Sequence, residues 1–121
     1  MNDDVQEFLP LTPTELHILL ALAGGERHGY AIMQEINDQT AGRLRVGPGS
    51  LYGTIKRLLG HKMIVETEER PDASLNDERR RYYAMTSLGR KVLSAEARHL
   101  AELVELARAK RVLPRVRTNP A

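Results

Sequence analysis

The 121-residue chain has no cysteine. Disulfides and thiolate metal sites are therefore excluded, and a reducing cytoplasm is the expected compartment. No run approaches ~18 uninterrupted apolar residues, the length that marks a membrane-spanning helix. The opening "MNDDVQEFLP" is acidic and lacks the apolar core of a secretory signal. His17, His28, His61 and His99 share no metal-ligand spacing, so neither a metal nor a cofactor is expected. Phosphate-binding signatures are missing too. In "RVGPGSLYGTIKRL" (45–58) the glycines fall at first, third and seventh positions, Gly47, Gly49 and Gly53. A dinucleotide fingerprint needs first, third and sixth, and no Gly-x-x-x-x-Gly-Lys-Ser/Thr run occurs. Ser50 lacks the Gly-x-Ser-x-Gly surround of a hydrolase nucleophile. With no nucleophile–base pair either, an enzyme is not expected.

What is present is a chain of single-domain size with 41% hydrophobic residues, enough for one modest core. A net charge of +2 conceals an asymmetry: residues 1–42 carry −6 and residues 43–121 carry +8. The basic part fits a polyanion partner, and equally a solvated surface behind an acidic leader.

Local signals lay out the elements. In "LTPTEL", Thr12 is an N-cap, Pro13 the first helical residue and Glu15 the third, a capping box with Leu11 and Leu16 as its staple. Leu16, Leu19, Leu20 and Ala23 are read as its inward side, with Gly24-Gly25 as the stop. A second helix starts near His28-Gly29, turning Ile32 and Ile36 inward and Gln34, Glu35 and Asn37 away. "AGRLRV" (41–46) reads as a short strand, followed by a helix over 48–59. "MIVETE" (63–68) and "RRRYYAM" (79–85) form an antiparallel hairpin with a long acidic tip. One long helix then begins at the N-cap Thr86 and is ended by Pro114.

The glycines make sense on the third helix. Gly47 serves as N-cap and Pro48 as first residue. At about 100° per residue, Leu51, Ile55 and Leu58 fall on one side, and Gly49, Ser50, Gly53, Lys56 and Arg57 on the other. A glycine inside a helix costs roughly 1 kcal/mol against alanine. Bare positions beside two cations suit a surface against which another backbone lies, and the major groove of DNA meets that requirement. A basic ribbon after a helix-turn-helix is the wing of a winged helix, with Arg80 and Arg81 as candidate phosphate contacts. Tyr30 is a candidate backbone contact, whereas Tyr52 either meets a phosphate or packs in the core. Of the wing tyrosines, Tyr83 is assigned to the core. On the last helix Leu93, Ala97, Leu100, Val104 and Ala107, with Leu103 beside them, make a heptad seam that predicts a homodimer.

Over about residues 12 to 107, "HGYAI", "GPGSLYGTIKRL" and "RRRYYAMTSLG" appear in an order that resembles the PadR-like transcriptional regulators. Leu51, Tyr52, Arg57 and Leu58, then Arg80, Tyr83, Thr86 and Gly89, carry the match. The resemblance implies a dimeric winged helix-turn-helix that binds a palindromic operator in double-stranded DNA, usually as a repressor. The single C-terminal helix is similar to the short branch of that family. Lys62 stands where the family usually has glycine, which leaves Gly60 to take over the helix stop. Sensing of flat drugs between tryptophans is not supported, because the chain has no Trp. A small-molecule effector of unidentified chemistry remains open.

The expected fold is thus mainly α with a small β-ribbon. An acidic leader (1–11) precedes a winged helix-turn-helix (12–85), a dimerisation helix (86–113) and a basic flexible tail (114–121). A winged helix that docks protein without touching DNA is the competing reading.

Overall fold

A computed structural model describes residues 3–71 and 79–114, with side chains over 5–67 and 81–114. The tip of the hairpin and the end of the basic tail lie outside the described residues. The elements are a 3-10 helix (Asp3–Phe8), α1 (Pro13–Ala23), β1 (Arg27–His28), α2 (Gly29–Gln39), α3 (Pro48–Gly60), β2 (Ile64–Pro71), β3 (Arg79–Met85) and α4 (Ser87–Ala109). The sheet is antiparallel in the order β1-β3-β2.

The α1 capping box forms as its sequence dictates. The Thr12 hydroxyl accepts from the Glu15 N–H at 3.1 Å, and the Glu15 carboxylate accepts from the Thr12 N–H at 2.9 Å. The inward face differs from expectation. Ile18, Leu19, Ala21 and Leu22 are buried, while Leu20 and Ala23 are exposed. Because α1 is apolar almost all round, periodicity cannot choose its face. In α2, Ile32 and Ile36 are buried as expected, but Glu35 pairs with Arg27 at 3.0 Å instead of facing solvent. His28 caps this helix, its Nδ1 accepting from the Ala31 N–H at 3.1 Å.

The segment 41–46 is a turn, not a strand. Ala41 and Gly42 take left-handed backbone (φ 53° and 77°), and the Asn37 carbonyl accepts from the Gly42 N–H at 3.0 Å. The third strand is instead Arg27–His28, paired with Tyr83 and Tyr82 of β3. Two residues are too few for a periodic signal. Tyr83 is buried as expected; burial and the neighbouring Glu66 push its hydroxyl pKa upward. Tyr82 is half-buried, edge-on to the His28 ring at 5.3 Å.

Residues of the expected leader are folded onto the domain. The 3-10 helix lies against α4, and Val5, Phe8 and Leu9 pack on the core. Buried Leu11 donates its N–H to the Glu96 carboxylate of α4 at 2.9 Å. At the other end of the domain, Thr86 ties α4 to the start of the wing. Its hydroxyl accepts from the Gly89 N–H at 3.0 Å and donates to the Lys62 carbonyl at 2.7 Å. Gly89 allows this approach, because a Cβ there would strike the Met63 carbonyl. α4 stops at Ala109, ahead of Pro114, through a left-handed Arg111 (φ 61°).

Gly60 does not take over the stop of α3. It remains helical, and Lys62 itself adopts the left-handed conformation (φ 62°). The Lys62 N–H reaches the Leu59 carbonyl and the Met63 N–H the Leu58 carbonyl, both at 3.0 Å. A non-glycine residue there costs about 1–2 kcal/mol, against a smaller loss of unfolded-state entropy from having lysine in place of glycine. Lys62→Gly is therefore expected to stabilise the fold by about 0.5–1 kcal/mol in urea unfolding. A drop in midpoint would contradict that account of the turn.

Candidate nucleic-acid interface

α3 begins without a side-chain cap: Gly47 is extended, and its carbonyl accepts from the Leu51 N–H at 2.9 Å. Pro48 follows at the position where a missing N–H is harmless. Leu51, Ile55 and Leu58 are buried against α1, α2 and β2, joined by Thr54, whose hydroxyl donates to the Ser50 carbonyl at 2.9 Å. Burying three such side chains contributes on the order of 6 kcal/mol. That exceeds the roughly 2 kcal/mol lost by two interior glycines, so the helix forms in spite of them.

The opposite face is open. Gly49, Ser50, Tyr52, Gly53 and Lys56 are all exposed. Apart from its chain neighbours and its own helix backbone, a Cβ built at Gly49 or Gly53 would meet no atom of the described residues within 4 Å, so their packing requires neither glycine. Lys56 has no ion-pair partner among the described residues. Tyr52 is 47% exposed and outside the buried core, yet its ring and hydroxyl lie directly over Gly29 of α2, where a side chain would collide with them. Tyr30 is also exposed, and its hydroxyl accepts from Gln34 at 3.2 Å.

Arg57 is also exposed, and its Nε is held at 3.3 Å by the nearly buried carboxylate of Glu15, a tether that Lys56 lacks among the described residues. The capping box signalled Glu15 only as a local helix start; its second bond spans the fold and has no local signature. Arg43 and Arg45, exposed where the chain enters α3, are cations that the motif reading passed over. On the wing, Arg81 is exposed and pairs loosely with Glu66 at 3.7 Å. The Arg80 side chain lies outside the described residues. The geometry therefore joins Gly49, Ser50, Tyr52, Gly53 and Lys56 on one helix face, with Arg57 at its edge and Arg81 on a separate element.

The seam of α4 divides in two. Leu93 is buried in the protomer's own core beside Val92 and Glu96, which corrects its assignment to a free dimer face. From Ala97 onward the same face continues uncovered, with Leu100, Leu103 and Val104 each 39–47% exposed and Ala107 half-buried. Among the described residues no helix is long and apolar enough to cross a membrane.

A helix-turn-helix with its second helix bare on the outside, followed by a β-hairpin, defines a winged helix-turn-helix. The family model of the Transcriptional regulator PadR-like family matches residues 18–95, and the chain belongs to that family. A transcriptional regulator of Mycobacterium tuberculosis is 36% identical over 88 residues, covering 73% of this chain and 76% of its own. A protein encoded in a transposon of Streptomyces fradiae is 39% identical over 89 residues, 74% of this chain but only 23% of that protein. A PadR family transcription regulator from Clostridium difficile has the same fold, with a TM-score of 0.69 at 17% identity over 81% of this chain and 97% of its own.

The two kinds of glycine respond oppositely to a methyl group. Gly53→Ala is expected to stabilise the fold by up to about 1 kcal/mol. Gly29→Ala, forced against Tyr52, should cost about 1–3 kcal/mol. Thermal unfolding of both variants checks this; a destabilising Gly53→Ala would mean that the fold constrains this face.

Proposed function

We propose that the protein is a dimeric repressor, acting in the cytoplasm on a palindromic operator. Each α3 enters a major groove and each β2–β3 hairpin lies beside it as a wing. The single observation that carries this reading is the outer face of α3, where Gly49 and Gly53 leave the helix backbone uncovered next to exposed Lys56. A groove wall can approach such a face closely, while Lys56 and the wing arginines neutralise phosphates. Ser50 and Tyr52 supply the polar groups able to reach base edges or backbone. The uncovered stripe of α4 supports a closed two-fold pair, and successive half-sites would then be centred about 10 bp apart or a multiple of it.

Fluorescence anisotropy with DNA from upstream of its own gene tests the reading. With roughly six to eight phosphates neutralised by the dimer, affinity should fall about 10³-fold or more between 50 and 200 mM salt. Lys56→Ala should weaken binding evenly across sequences and lower the salt slope by about one per protomer. Salt-insensitive binding, or none, would contradict it.

Leu100→Asp with Val104→Asp should yield monomers in sedimentation and weaken operator binding, since each protomer then engages one half-site alone. A variant that stays dimeric would remove this stripe from the interface. If these substitutions abolished function while Lys56→Ala did not, a protein-docking winged helix would fit better.

A further inference from the structure

Glu15 and Arg57 are 42 residues apart in sequence and join α1 to α3. The Glu15 carboxylate is split between two tasks. One oxygen accepts from the Thr12 N–H at 2.9 Å, and the other accepts from Arg57 Nε at 3.3 Å. The glutamate side chain is 11% exposed and the arginine side chain 49%. An arginine carries five N–H donors in a rigid planar fork. Only Nε is engaged among the described residues, so the four N–H groups of the two Nη atoms remain for another acceptor. The stem of Arg57 springs from a helix seated by Leu51, Ile55 and Leu58, and its next residue is buried Leu58. With Nε held by Glu15, part of the rotamer freedom of the side chain is already lost before any ligand arrives. Arg57 stands one turn beyond Gly53 and next to Lys56, at the edge of the open face.

We propose that Glu15 is a positioning residue for DNA binding: it holds Arg57 by Nε so that both Nη groups are presented to a phosphate flanking α3. This rests on the reading of α3 as the DNA-contacting helix. A flexible lysine such as Lys56 meets a phosphate as a point charge and loses its side-chain freedom on doing so. A pre-ordered arginine forms its charge-assisted hydrogen bonds at lower entropic cost and in one geometry. The capping box of α1 and the phosphate contact of α3 are thereby connected through a single carboxylate.

Glu15→Gln separates the two tasks, because the amide oxygen still accepts from Thr12 while the amide nitrogen cannot accept from Arg57. Operator affinity and its salt slope are measured for wild type, Glu15→Gln, Arg57→Ala, Arg57→Lys and the Glu15→Gln/Arg57→Ala pair, with folding verified by circular dichroism. Arg57→Ala is expected to weaken binding roughly tenfold and lower the slope by about one per protomer. Glu15→Gln should lose a similar factor with its slope nearly retained, since the charge remains but is no longer held. Arg57→Lys should behave like Glu15→Gln, because a lysine lacks the rigid fork that separates a held Nε from two presented Nη groups. The double variant should bind no worse than Arg57→Ala alone. Tighter binding with a steeper slope in Glu15→Gln would overturn the proposal by showing that Glu15 withholds Arg57 from DNA. Losses that merely add would assign the two residues independent roles. An unchanged slope in Arg57→Ala would remove Arg57 from the phosphates. Absence of salt-dependent binding by the wild type would instead defeat the underlying reading of α3, and this proposal with it.

Discussion

Burial of Leu51, Ile55 and Leu58 is the constraint on which the rest of the molecule depends. These three side chains share one face of α3, and the core formed by α1, α2 and β2 can accept only that face. Once they are inside, the rotation of the helix is set, and Gly49, Gly53 and Lys56 must point away from the domain. The cost of two interior glycines is small beside the burial that seats the helix. An open helix face on a rigidly held helix follows from this inequality, without any special loop or strained backbone at the face itself.

Polar tethers refine the seat. The left-handed stop at Lys62 turns the chain sharply from α3 into β2, and the Lys62 carbonyl then receives the hydroxyl that caps α4. The open helix α3, the wing and the long helix are thus coupled through the Lys62 turn and the Thr86 cap. At the opposite end, the buried Glu96 carboxylate binds the Leu11 N–H and fastens the N-terminal segment to α4. Beyond Glu96 the apolar side of that helix stays exposed at Leu100, Leu103 and Val104 among the described residues. A face that is core in its first half and bare in its second is what a helix shared between two protomers would present.

Much of this was legible in the sequence because the signals are local. A capping box, a proline at a helix start, β-rich runs in the wing and an N-cap threonine each act within a few residues. α3 was legible for a further reason: its apolar and polar positions separate cleanly around the helix. α1 was not, since an apolar surface on every side leaves its orientation to the packing partners. Residues 41–46 carried Leu44 and Val46 at strand spacing, but the helix stop at Ala41–Gly42 claimed their backbone first. Glu15 was assigned to the capping box, and Arg57 to the outer face of α3. Their pairing depends on how α1 crosses α3, which no spacing rule encodes. Lys62 shows the converse: a turn set by tertiary contacts can impose left-handed backbone on a residue that does not favour it.

The central claim is that the bare face of α3 is where DNA lies, and backbone amide NMR during an operator titration tests it most directly. Glycine amides resonate in a sparsely occupied region, so Gly49 and Gly53 can be followed individually among the nine glycines. The account predicts that these two amides, with Ser50 and Lys56, shift or broaden first and most strongly. Perturbations confined to the Leu100–Val104 stripe of α4, with the α3 amides unmoved, would contradict it.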